Sequence, residues 1–157
     1  MHKITPFLWF DHQAEEAMHF YVSIFKNSKV LSVSRYSENV PGLGGKVMSV
    51  TFMLNGQEIM ALNGGPQFNF TEAISLFVSC ETQAEVDDLW AKLTADGGEE
   101  GPCGWLKDKF GLSWQIIPTA LGELMNDPDP QKSKRVMDAM LKMKKIEIAA
   151  LRAAYNQ

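Results

Sequence analysis

Cys103 stands between Pro102 and Gly104, just ahead of a β-like run. A thiol in such a turn becomes a nucleophile when a neighbouring base or cation lowers its pKa, and Lys107 and Lys109 are the local candidates. The opposing reading is a turn thiol with no reactivity. Cys80 falls on the helix-facing side of a strand and reads as inert core. His2, His12 and His19 share no metal-ligand spacing; each reads as solvent-facing. Glu15 and Glu16 occupy a first helical turn, where negative charge favours the helix dipole. Gly42-Leu43-Gly44-Gly45 has the composition of a phosphate loop, yet a β-run rather than a helix N-terminus follows it.

The elements that must position these residues belong to a chain of 157 residues with 45% hydrophobic and 22% charged content. That length fits one compact domain or two small fused modules, with apolar material for a substantial core. Charge sums to 15 − 19 = −4. Nucleic acid and membrane surfaces are therefore poor partners. No apolar run approaches the ~20 residues of a spanning helix, and Met1-His2-Lys3-Ile4-Thr5-Pro6 lacks a signal-peptide layout. The expected location is cytoplasmic, with both cysteines reduced.

Residues 4–10 read as a strand, and Ala14, Ala17, Met18, Tyr21, Val22 and Phe25 recur at helical spacing after it. Three β-runs follow, Val30–Tyr36, Val47–Leu54 and Ile59–Leu62, the last two joined by the hairpin signal Asn55-Gly56. The order then restarts: a strand over Ile74–Cys80, a helix capped by Thr82 and stopped by Asp96-Gly97-Gly98, and strands near Glu99–Cys103, Trp105–Phe110 and Leu112–Ile117. Gln13-Ala14-Glu15 recurs as Gln83-Ala84-Glu85, an offset of 83 − 13 = 70. At that offset Thr5, Phe7 and Trp9 fall on Ser75, Phe77 and Ser79, while Leu8 and Phe10 fall on Val78 and Cys80. The alternation matches, so two β-α-β-β-β modules are expected, over 1–66 and 67–120. A tail over 121–157 carries a helix opened by Asp129-Pro130, with Val136, Met137, Met140, Leu141 and Met143 at helical spacing, and a short helix over Ile148–Tyr155.

Three segments carry a family resemblance: Thr5-Pro6-Phe7-Leu8-Trp9-Phe10, Ala14-Glu15-Glu16-Ala17-Met18-His19-Phe20-Tyr21, and the run from Cys103-Gly104-Trp105-Leu106-Lys107-Asp108 through Ser113-Trp114-Gln115-Ile116. They resemble the PhnB-like branch of the vicinal oxygen chelate (glyoxalase/bleomycin-resistance) superfamily. The resemblance extends over nearly the whole chain, with the tail from Asp127 included. It implies an α+β fold in which the two modules form a curled, cup-shaped mixed sheet holding the site. Metal-dependent relatives place His or Glu on the first and last strands of each module. The matching positions here are Thr5, Met60, Ser75 and Gln115, and none is a carboxylate or imidazole. No catalytic metal and no cofactor are expected.

The same resemblance makes Gln115 a hydrogen-bonding group on the cup floor, against the alternative of an amide tied to neighbouring backbone. Thr5 and Ser75 become a symmetry-related hydroxyl pair, or ordinary strand hydroxyls. Phe7, Trp9 and Phe77 form an aromatic wall or simply pack the core. Met60, Cys103 and Trp105 complete the expected ligand-binding set. Phe68-Asn69-Phe70 reads as a flap or as a linker between modules. The expected function is binding of a small organic molecule, with turnover or as sequestration. A weaker alternative is the 3-demethylubiquinone methyltransferase activity that the branch's name suggests, because no Gly-rich strand-to-helix loop for S-adenosylmethionine is visible. Free sheet edges and the Met137, Met140 and Met143 surface suggest a homodimer, against the alternative that this helix folds back on its own domain and leaves a monomer.

Overall fold

A computed structural model describes residues 3–157, so the expectation for His2 and for the first two residues lies outside the described residues. The chain forms two compact units, a first ending at Asn69 and a second, Phe70–Gln157. Each contains its own four-stranded mixed sheet.

The first unit runs β1 (Phe7–Phe10), α1 (Ala14–Ile24), β2 (Lys29–Arg35), β3 (Val47–Leu54) and β4 (Gln57–Asn63), with sheet order β1-β4-β3-β2. Strand alternation divides it into two faces. Leu8, Phe10, Val50, Phe52, Ile59 and Ala61 are buried beneath Ala14, Ala17, Met18 and Tyr21 of α1, and Tyr21 stacks on Phe52. Phe7, Trp9, Thr51 and Met60 occupy the open face. Asn55 and Gly56 both take positive φ, 46° and 83°, which is the geometry their hairpin turn requires.

One expectation fails at the first strand. The ladder starts at Phe7 rather than at residue 4, and Thr5 precedes it. Pro6 has no N–H to donate, so its only ladder contact is its carbonyl, which accepts from Met60 N at 3.0 Å. Thr5 is consequently not a strand residue, whereas its counterpart Ser75 is. The proposed symmetry of the two hydroxyls breaks there.

The second unit repeats the order with β5 (Ser75–Cys80), α2 (Gln83–Thr94), β6 (Glu99–Glu100), β7 (Trp105–Lys107) and β8 (Ser113–Pro118), arranged β5-β8-β7-β6. The parallel pairing Phe7 with Met60 in the first unit reappears as Phe77 with Gln115, which bears out the 70-residue register. The caps differ. Thr82 accepts from Glu85 N at 3.2 Å, whereas α1 has no local cap and Ala14 N is satisfied by Asn63 Oδ1 at 2.8 Å. β6 and β7 are shorter than their sequence runs. Pro102 cannot extend β6, and Asp108 turns the chain out of β7.

Beyond β8 come α3 (Thr119–Met125), α4 (Pro130–Met140) and α5 (Ile148–Tyr155). α3 has no counterpart in the sequence reading, because Gly122 interrupts a run too short to show periodicity. Leu121, Val136, Ile146 and Leu151 form a buried cluster, with Met140, Met143 and Tyr155 packed against it. Two of the three methionines read as a surface for a second chain are therefore spent within their own unit. Met137 remains 43% exposed. Gln83 ties this region to α2: its amide donates to Ile146 O at 2.9 Å and accepts from Ile148 N at 2.7 Å.

Tyr155 donates to Asp127 Oδ2 at 2.5 Å, and that phenol holds the Asp127 carboxyl below its ordinary value. A carboxyl depressed in the folded state adds stability above its unfolded pKa of about 3.9, and this is lost as pH falls through the lower folded value. Tyr155→Phe is expected to lower the melting temperature at pH 7, with the gap to the parent closing below about pH 4. Melting curves at several pH values check this; a gap constant down to pH 3 would contradict it.

Candidate functional site

The site is built by one hairpin. Asp108, 2% exposed, sits at the β7–β8 turn. Its Oδ1 accepts from Phe110 N at 2.9 Å and Leu112 N at 3.1 Å, and its Oδ2 from the Trp114 indole at 2.9 Å. Gly111, at φ 88°, completes the turn by donating to Asp108 O. The distinctive run from Trp105 to Gln115 is thus a device for fixing the register of two strands.

That register decides what shares a face. Trp105 pairs with Gln115, and Gln115 with Phe77, so the three form one row across β7, β8 and β5. Lys107, Ser113 and Ser75 form the next row. Trp114 and Ile116 alternate to the other face and are buried. Gln115 Nε2 donates to Ser75 Oγ at 2.9 Å, which joins the two rows and orients the amide by a side chain, not by the neighbouring backbone. Phe77 is 60% exposed. An exposed phenylalanine beside an amide and a half-buried tryptophan makes a surface suited to a flat apolar molecule.

A cavity of about 490 Å³ opens at this face, lined by Trp105, Lys107, Ser113, Cys103 and Glu72 together with the Glu99–Pro102 segment. Ser113 is 1% exposed and its hydroxyl has no hydrogen-bond partner. Lys107 pairs with Glu72; this holds the carboxyl below and the ammonium above their ordinary values, so both stay charged at neutral pH. Cys103 lines the lip with φ 57°, followed by Gly104 at 83°. The tail fixes this strained pair, as Cys103 N donates to Met143 O and Gly104 N to Lys144 O, each at 2.8 Å. Cys80 is fully buried, and burial pushes its thiol up to about 12, which matches its reading as inert.

On the first unit's open face, Phe7 is 51% exposed and pairs with Met60, while the Trp9 ring meets Phe68 edge-on at 5.0 Å. Trp9 Nε1 donates to Gly65 O at 2.9 Å. The structure therefore groups Phe7, Trp9 and Met60 on one sheet and Ser75, Phe77, Trp105 and Gln115 on the other, with Cys103 at the second sheet's cavity. The sequence singles out neither Ser113 nor Glu99 as a site residue, placing them only in a motif run and a strand, and Lys107 only in that run and as a neighbour of Cys103; Glu72 it does not mark at all. Period-two counting from Gln115 and Trp105 reaches Ser113 and Lys107; nothing local marks Glu72.

The donor set does not suit a divalent metal. Met60 and Gln115 hold equivalent positions in the two units, a thioether and an amide, and the Gln115 amide is engaged by Ser75. Among the described residues no three His, Cys, Asp or Glu side chains stand together as a metal site. His12 and His19 are both exposed, as their settings suggested.

Paired β-α-β-β-β units with open sheet faces define a protein of the vicinal oxygen chelate fold. Residues 2–117 match the family described as 3-demethylubiquinone-9 3-methyltransferase, and the chain belongs to that family, the PhnB-like branch of the superfamily. A PhnB protein from Bacillus cereus is 45% identical, over 74% of this chain and 99% of that one, with a TM-score of 0.67. Protein PA1353 from Pseudomonas aeruginosa shares the fold at 19% identity and TM-score 0.62, over 75% of this chain and 98% of that one. A Listeria monocytogenes FosX fosfomycin-resistance protein, in complex with Mn(II), does so at 15% identity and TM-score 0.52, over 73% and 90% of the two chains. No curated protein matches the sequence. The family match spans residues 2–117, and the helical tail lies beyond it. No helix among the described residues is long and apolar enough to cross a membrane.

Proposed function

We propose that the open face of the second sheet binds a small organic molecule without help from a divalent metal. The ligand's flat or apolar body lies against Trp105 and Phe77, with Gln115, Ser75 and Ser113 supplying hydrogen bonds. The observation that carries this reading is Ser113, a buried hydroxyl without a partner at the wall of a 490 Å³ cavity. Such a group costs free energy unless something bonds to it, and a ligand is the natural candidate. Phe7, Trp9 and Met60 give the first sheet an apolar open face of similar character. Gln115 at the centre of the row does not titrate, Glu72 is tied to Lys107 and Glu99 stands at the exposed rim; this arrangement favours binding over turnover. Methyl transfer is the weaker reading. α1 and α2 begin at Ala14 and Gln83 behind Asp11-His12-Gln13 and Glu81-Thr82, with no glycine-rich loop to cradle a nucleotide-like cofactor.

A thermal-shift screen of small organic molecules, run with and without EDTA, tests the reading. Stabilisation by the same compounds in both arms is expected. Hits that vanish with EDTA and return with added Mn²⁺ would overturn the metal-free part.

Self-association belongs to the same proposal. All seven residues of the edge strand β2 are exposed, including Val30, Leu31 and Val33, and an open apolar edge calls for cover. A second copy pairing along β2 supplies it. Light scattering over a dilution series should show a doubled mass, and Val33→Lys should halve it. A mass near 17.6 kDa at every concentration would refute the dimer.

A further inference from the structure

We propose that the molecule taken by the second unit's cavity carries an organic ammonium group, its apolar body on Trp105 and its cationic end beside Glu72 and Glu99. The proposal rests on the cavity being the binding site. The charge of the cavity walls selects the cation. Two side-chain carboxylates share the cavity's face, those of Glu72 and Glu99, against one ammonium, that of Lys107, giving 1 − 2 = −1; Glu100 also lines the wall but lies opposite Leu106 and turns its carboxylate to the other face.

Each charge has an identifiable role. Glu100 accepts from the Trp90 indole at 2.7 Å, and Glu72 is bound to Lys107. Glu99 lies opposite Lys107 in the β6–β7 register and is exposed, so it is the surplus negative charge at the rim. An anionic ligand finds its only cation already neutralised. A cationic one gains a carboxylate and the Trp105 ring face, which attracts ammonium groups through its quadrupole.

The second, independent observation is Ser113. Its partnerless hydroxyl stands on the same face as Lys107, directly across the strand pair, and can accept an N–H from the ligand. Acidic residues alone would describe a solvated rim. A buried hydroxyl without a partner among them describes a place where a ligand's hydrogen-bonding group sits, and the surplus carboxylate selects a cationic one.

Three matched probes separate the charge class from the site itself: phenethylammonium, phenethyl alcohol and hydrocinnamate, titrated into the full-length protein and followed by amide and indole NMR shifts. The ammonium is expected to bind about fivefold more tightly than the alcohol, with the carboxylate weakest. Glu99→Gln, at an exposed rim position that no buried contact depends on, should bring the ammonium to the alcohol's affinity and leave the alcohol unchanged. Equal binding of ammonium and alcohol, with shifts at Trp105 and Ser113, would overturn the ammonium class and leave the site standing. Absence of shifts at both residues with all three probes would overturn the inference and the reading of the cavity together.

Discussion

Asp108→Ala is expected to destabilise the second unit by about 3 kcal/mol, because it leaves two backbone N–H groups and one indole N–H unpaired in a buried turn. The bonds at stake, to Phe110 N, Leu112 N and Trp114 Nε1, are 2.9, 3.1 and 2.9 Å long. All three end on the same carboxyl group, so one truncation removes the whole set. Asp108→Asn should lose about half as much, since its carbonyl keeps the backbone bonds while its NH₂ group meets the Trp114 donor. Denaturant unfolding measures both. A loss below about 1 kcal/mol for the alanine variant would show that water or a relaxed turn replaces the carboxylate. The functional consequence follows from register: a slip of one residue between β7 and β8 would put Trp105 on the opposite face from Ser113 and Gln115.

The second large effect is on binding. Trp105→Ala should weaken any compound that the screen identifies by at least about tenfold, as expected for an aromatic anchor at the centre of a contact surface. Its effect on stability should be small, because Trp105 is half-buried on the open face and not among the buried core side chains. Trp105→Phe should recover part of the affinity by keeping a ring. Isothermal titration with the screen's best compound decides it. Unchanged affinity in a folded Trp105→Ala protein would move the ligand elsewhere.

Much of the scaffold was legible because it rests on periodicity. The 70-residue offset placed Phe7 and Phe77 on equivalent strands, and the structure pairs them with Met60 and Gln115, also equivalent. Asn55-Gly56 and Thr82 act locally, so their roles follow from residue type. Thr5 misled because alternation extends past Pro6 in sequence while the hydrogen-bond ladder does not. The cavity was less legible. Ser113 looks like any strand serine until its missing partner is seen, and Glu72 meets Lys107 across 35 residues of chain. The tail's hold on Cys103 and Gly104 is likewise a long-range pairing, made by Met143 and Lys144 after α4 has ended. Backbone contacts of that kind leave no trace in side-chain pattern.

The open face of the second sheet is where a small organic molecule should bind. Chemical-shift mapping with the best compound from the screen tests it most directly. Perturbations are expected to concentrate at Ser75, Phe77, Trp105, Ser113 and Gln115 and to persist in EDTA. Perturbations confined to the tail helices or to the buried face of Trp114 and Ile116, with those five residues unmoved, would contradict it.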